Sequence, residues 1–237
     1  MGGALRWIMA VAAAVVPAWA AAASFGVSPI GLTIAANESS GSVVVTNTGA
    51  DPVVIQARAF AWTQSCDDVR TETRDLIINP PLFKLAAGES QLVRVASRLP
   101  APQETELAFR LAFNEVPLLA STPAPGLRVT LSMDVPLYIA ARRTGSPVMA
   151  WRFDDAAGKP RVVAENSGDR HLRLRDVKVM DGDREVASVS RLVVLARSSF
   201  GVSLTGSPGK SQSLRLTGQD DDNQHVDVDI PVSAGRQ

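Results

Sequence analysis

Apolar and polar residues alternate along most of this chain, in short runs separated by turn residues. Residues 42–46 (SVVVT) lead into Asn47, Thr48, Gly49, Ala50, Asp51 and Pro52, and then into the apolar run 53–60. Residues 76–78 precede Asn79, Pro80 and Pro81, and in 91–97 Leu92, Arg94 and Ala96 alternate with Val93 and Val95. Beyond residue 23 no stretch carries a convincing helical stripe. Runs of β-branched residues at period 2, punctuated by Gly, Pro and Asn, predict strands packed as β-sandwiches.

The pattern is interrupted at residues 141–147 (ARRTGSP), a polar stretch with Gly145 and Pro147. It leaves about 120 and about 90 residues on its two sides, each the size of one sandwich. The expected domains are therefore 24–141 and 148–237, joined by a linker at 142–147. The second half repeats the style, with runs at 161–164 and 172–180 and turns at 165–168 and 181–183. Asn47-Thr48-Gly49 and Asn166-Ser167-Gly168 are analogous turns, each following a strand.

One run is longer than the rest. In residues 127–139 (LRVTLSMDVPLYI), Leu127, Val129, Leu131, Met133, Val135, Leu137 and Ile139 are apolar at strict period 2. Fully extended it spans about 43 Å at ~3.3 Å per residue, about twice the usual strand length. It reads either as a core strand bending between sheets or as a strand whose apolar row partly faces a partner. In the second case its unpaired backbone adds to another protein's sheet. Pro136 has no N–H and marks a bulge or the edge of pairing.

Residues 1–23 read as a secretory signal peptide: Arg6, an apolar run from Trp7 to Val16, the breaker Pro17, then small residues around Trp19. The apolar run is shorter than a membrane span. Cleavage before Ser24 or before Ala21 fits the small-x-small rule. The chain carries 24 Lys+Arg and 24 Asp+Glu; losing Arg6 leaves 23 basic against 24 acidic residues. That balance argues against nucleic acid as a partner. Two His and one Cys exclude a Cys/His zinc cluster and an internal disulfide. Export without disulfides points to a bacterial periplasm.

Catalytic constellations are not found. His171 and His225 read as surface or turn-supporting residues. Gly209-Lys210-Ser211 lacks the first glycine of a phosphate loop, because residue 204 is Leu. Asp220 to Asn223 lacks the Gly and Glu of a calcium loop and reads as a solvated hairpin turn. Cys66 reads as a free loop thiol whose thiolate Asp67 and Asp68 disfavour. No enzyme activity, metal or cofactor is expected.

Taken in order, these pieces resemble the periplasmic chaperones of the chaperone–usher pathway, which assemble pili and fimbriae. The resemblance rests on Val27-Ser28-Pro29-Ile30, residues 43–49 (VVVTNTG), Trp62, 79–85 (NPPLFKL) and 88–95 (GESQLVRV). It continues with 106–117 (ELAFRLAFNEVP), 135–139 (VPLYI), and Glu165 to Gly168 with His171. The Val135 to Tyr138 element and the short-loop first domain are most similar to the archaic branch, alongside pili of the spore-coat-U-like type. The resemblance implies two immunoglobulin-like β-sandwich domains at an angle with a cleft between them. It implies donor-strand complementation: the chaperone lends a strand to a pilin subunit that lacks its last one, then delivers it to an outer-membrane usher. By position the donor strand is 127–139. Leu127, Val129, Leu131 and Met133 are expected to enter the subunit's groove, with Val135 next in the same row. Burying four such side chains would contribute about 6–12 kcal/mol before ordering costs. Whether free chaperone self-associates is left open. The alternative reading is an exported two-domain structural component of a pilus.

One departure from the family is visible. Better-known members hold the subunit's C-terminal carboxylate with an Arg in the first strand and a Lys in the donor strand. Alignment places Gly31 and Pro136 at those positions. Arg94 and Arg110, both in predicted strands of the first domain, are the expected substitutes, against the alternative that they are ordinary exposed strand residues.

Overall fold

The computed structural model describes residues 25–100, 103–117, 129–143, 145–209 and 211–232. The strands are β1 (Phe25–Ser28), β2 (Leu32–Ile34), β3 (Ser40–Asn47), β4 (Val53–Glu72), β5 (Leu76–Asn79), β6 (Leu82–Leu85), β7 (Ser90–Ser97) and β8 (Leu107–Val116). They continue as β9 (Ser132–Ile139), β10 (Met149–Asp154), β11 (Arg161–Asn166), β12 (Leu172–Asp181), β13 (Arg184–Val194), β14 (Ser198–Ser203), β15 (Ser213–Gln219) and β16 (His225–Pro231). The chain is all-β, as the alternation predicts. Among the described residues no helix is long and apolar enough to cross a membrane.

Two hydrophobic cores form. In the first, the sheet β1-β3-β7-β5 faces β4, β8, β9 and β2. Val43, Val45, Val93 and Val95 enter from one side, and Ile55, Phe109, Leu111, Phe113, Val135 and Leu137 from the other. The period of 2 makes this inevitable: every second residue of a strand points to the same face. In the second core, β10-β11-β14 packs on β13-β12-β15-β16 around Val162, Leu174, Val179, Leu192, Leu214, Leu216 and Ile230.

Each sandwich is closed by the same device. Asn47 is buried; its side-chain amide donates to the carbonyls of Asp51, Leu85 and Ala86, and its Oδ1 accepts from Gly49 N–H. Asn166 does the same with Arg170, Val194, Leu195 and Gly168. The two Asn-x-Gly turns singled out in the sequence are structurally equivalent.

The two halves are sewn together by β4. This strand folds back at Cys66, which has φ 67°. Thr73 N–H donates to Ala59 O and Arg58 pairs with Glu72, so residues after Cys66 return alongside those before it. At the tip, Ser65 and Cys66 pair in parallel with Ser199 and Phe200 of β14. The result is one sheet, β10-β11-β14-β4-β8-β9-β2, running through both halves. The expected loop around Cys66 is thus a hairpin tip against the second half. Asp220 to Asn223 form the expected turn: Asp220 N–H donates to Gln224 O and Asn223 N–H to Asp220 O.

Candidate functional site: an open sheet edge beside an unpaired arginine

β9 is antiparallel to β8 along its whole length, with Met133 opposite Phe113, Val135 opposite Leu111 and Leu137 opposite Phe109. Glu115 N–H donates to Leu131 O at 2.9 Å. Hydrogen-bonded pairs alternate in an antiparallel ladder, so Met133, Val135 and Leu137 turn their backbone groups toward β8. Ser132, Asp134, Pro136 and Tyr138 turn theirs away. On that outer side β2 covers only Leu137, Tyr138 and Ile139, and Ala140 N–H donates to Ile34 O. The N–H and C=O groups of Ser132 and Asp134 therefore form an edge with no neighbouring strand among the described residues. The edge stops at Pro136, which has no N–H to offer.

The side chains of this strand divide along its length. Leu127 lies outside the described residues. Val129 is 77% exposed, and Leu131 and Met133 sit half-buried at the margin of the first core. Val135 is 2% exposed and packs inside that core with Leu111 and Leu137. Val135, expected next in the subunit-facing row, belongs here to this chain's own core. The expected 127–139 strand is likewise shorter, beginning at Ser132. By the same register residue 130 falls opposite Val116, the last residue of β8, and Val129 falls beyond it.

The outer face of this sheet carries the cleft chemistry. Cross-strand register sets Phe60, Arg110 and Pro136 in one row and Arg58, Ala112 and Asp134 in the next. A Cβ on Gly31 would lie 3.7 Å from Pro136 Cγ, so the two non-basic anchor positions meet at the end of the Arg110 row. The Arg110 guanidinium lies 3.7 Å over the Trp62 ring. Its Nε is buried without a hydrogen-bond partner, and the side chain forms no ion pair among the described residues. Burial, and then Arg70, lower its pKa from the usual value; Tyr138, Asp68 and Asp134 oppose this. Stacking on tryptophan offsets about 0.5–2 kcal/mol of the cost of holding a guanidinium this way. The remaining donors suit a carboxylate, which Arg binds bidentately.

Arg94 does not share this site. It stands between the inward-facing Val93 and Val95 and is exposed on the outer face of the other sheet, opposite Ser42 and Asn79. The whole first core separates it from Arg110. Of the two expected anchors, Arg110 stands on the sheet face that carries Trp62 and Tyr138, and Arg94 stands on the far side of the first core.

The second half closes the cleft with contacts that the sequence pattern does not signal. Gln64 is buried; its Nε2 donates to Val193 O and to Asp68 Oδ1, and its Oε1 accepts from Leu195 N–H. Asp68 also accepts from Trp62 Nε1 at 2.7 Å. His171, read from the sequence as a surface or turn-supporting residue, has only 9% of its side chain exposed. Its Nδ1 lies 2.7 Å from Glu106 Oε1, and its ring stacks on Tyr138. Among the described residues no group of three or more His, Cys, Asp or Glu could hold a metal ion.

A protein-family profile described as pili and flagellar-assembly chaperone, PapD N-terminal domain, matches residues 24–141. The chain belongs to the pilus-assembly chaperones. Solved structures agree at the level of fold. A chain of the CsuC–CsuE chaperone–tip adhesion subunit pre-assembly complex, from archaic chaperone-usher Csu pili of Acinetobacter baumannii, superposes with a TM-score of 0.71. It is 23% identical, covering 88% of this chaperone and 98% of that chain. The YadV chaperone gives 0.64 at 15% identity over 89% and 100%. A chain of the Salmonella enterica SafA pilin–SafB chaperone complex gives 0.62 at 15% over 88% and 96%. No curated protein matches at a comparable standard.

Proposed function

We propose that this chaperone, of the archaic branch, holds a pilin subunit in the periplasm by donor-strand complementation and passes it to an outer-membrane usher. The observation that carries the reading is the β9 edge ending at Pro136 in the same row as Arg110. A strand added at Ser132 and Asp134 must stop there, because β2 occupies the edge beyond. If the added strand runs parallel to β9, its C-terminal end arrives beside a guanidinium that lacks an acid. A subunit ending in such a strand has its edge covered and its carboxylate neutralised at once. Val129, fully outside the core, and Leu131 and Met133, half-buried at its margin, supply the apolar contribution; Leu127, outside the described residues, is expected to join them. The division into 24–141 and 148–237 about a 142–147 linker follows the two cores. The signal peptide proposed at 1–23 lies outside the described residues.

The test is co-purification of tagged chaperone from periplasm expressing pili, with the partner identified by mass spectrometry. A pilin at one-to-one ratio is expected, with Arg110→Ala weakening capture several-fold and Arg94→Ala leaving it unchanged. Equal capture by the wild type and Arg110→Ala would remove the anchor. Absence of any pilin would remove the function.

A further inference from the structure

Arg70 and Asp134 form an ion pair at the mouth of the Arg110 site. Arg70 stands on the returning arm of the β4 hairpin, and Asp134 stands on the open edge of β9. The pair thus reaches from one cleft element to the strand that is lent. Asp134 lies one row from Arg110 on the same face of the sheet, opposite Ala112. Asp68, the other nearby acid, is engaged by Trp62 and Gln64. The Tyr138 hydroxyl is the remaining ionisable group facing Arg110. Arg58, in the row of Asp134, is held by Glu72. That leaves Arg70 and Arg110 as the guanidiniums on this face for a carboxylate to join, and Asp134 already pairs with Arg70.

We propose that Asp134 is a stand-in for the C-terminal carboxylate of a bound subunit. On capture, Arg70 passes from Asp134 to the incoming carboxylate, which Arg70 and Arg110 then hold together. This rests on the proposed function, in which a subunit strand ends beside Arg110. Asp134 keeps Arg70 over the cleft while the chaperone is free, and it competes mildly with the ligand. Both partners of the pair are a third or more exposed, so the competition is worth only about two- to five-fold in affinity.

The experiment uses full-length chaperone and the pilin that co-purifies with it, prepared with its natural C-terminus and with three glycines added. Dissociation constants are compared for the wild type, Asp134→Asn, Arg70→Gln and Arg110→Gln, each first checked for an unchanged melting temperature within a few degrees. Asp134→Asn is expected to bind the natural subunit about two- to five-fold more tightly. Arg70→Gln is expected to bind it more weakly. The gain from Asp134→Asn should vanish with the extended subunit, whose carboxylate is displaced. If wild type and Arg110→Gln behave as the chaperone reading requires but Asp134→Asn binds no better than wild type, the stand-in is overturned and the chaperone reading survives. Binding of Arg70→Gln at wild-type strength would overturn the stand-in equally. If wild type binds neither subunit, both fall together.

Discussion

Tyr138 lies flat against His171, with ring centroids 3.9 Å apart and planes 7° from parallel. Tyr138 stands near the end of β9, the strand proposed to be lent, and His171 belongs to the second sandwich; Glu106 of the first half lies against its ring and accepts from its backbone N–H. The contact ties β9 to the second half. It also buries the phenol.

Burial pushes the Tyr138 pKa up to about 12, with Arg110 and Arg173 pulling the other way. A phenol raised in the folded state stabilises the fold below its unfolded value near 10. That stability, about 2–3 kcal/mol, is lost as pH climbs from about 10 to about 12. Tyr138 is the single tyrosine of the chain, so tyrosinate absorbance reports it without ambiguity. The expected midpoint is near 12 in the folded protein and near 10 in denaturant. Tyr138→Phe should flatten the alkaline loss of stability.

Gln64 imitates a strand: one side-chain amide satisfies both Val193 O and Leu195 N–H. Gln64→Leu leaves two backbone groups unpaired in a buried place, at about 1–3 kcal/mol each. Denaturant titration should show a loss of about 2 kcal/mol or more. Amide exchange at Leu195 should accelerate ahead of exchange in the two cores.

On the proposed function, the apolar row that runs into β9 divides into a part for the partner and a part for the fold. Val129→Asp combined with Leu131→Asp should leave the chaperone folded, by circular dichroism and melting temperature, and abolish subunit capture. Val135→Asp places a charge inside the first core and should prevent folding instead. Equal effects of the two changes on folding would contradict the division.

Much of the fold is legible in the sequence because period 2 is enforced wherever a sheet has one buried face. Val93 and Val95 announce their inward direction, and Asn47 and Asn166 announce two equivalent turns. The alternation runs beyond β9 because it continues on the N-terminal side of Ser132, whereas strand pairing begins at Ser132 opposite Asn114. Val135 carries the same pattern as Val129, and only the neighbouring strands tell core from surplus. Arg94 illustrates a further limit. Its alternation with valines does say that it faces outward. Which of two sheets forms the cleft is set by β4 crossing to β14, a long-range pairing with no local signal. The same holds for His171, Gln64, Arg70 and Asp134, whose partners lie far away in the chain. Trp62 and Arg110 are visible individually, but their stacking depends on the register between β4 and β8.

The central claim is that a subunit strand adds to the β9 edge, and residue-resolved amide exchange tests it most directly. In free chaperone the N–H groups of Ser132 and Asp134 should exchange fast, while those of Met133 and Val135, turned toward β8, are protected. On complex formation with the pilin, Ser132 and Asp134 should become protected and Met133 and Val135 should change little. A stable complex in which Ser132 and Asp134 still exchange as fast as in the free protein would contradict strand addition at this edge.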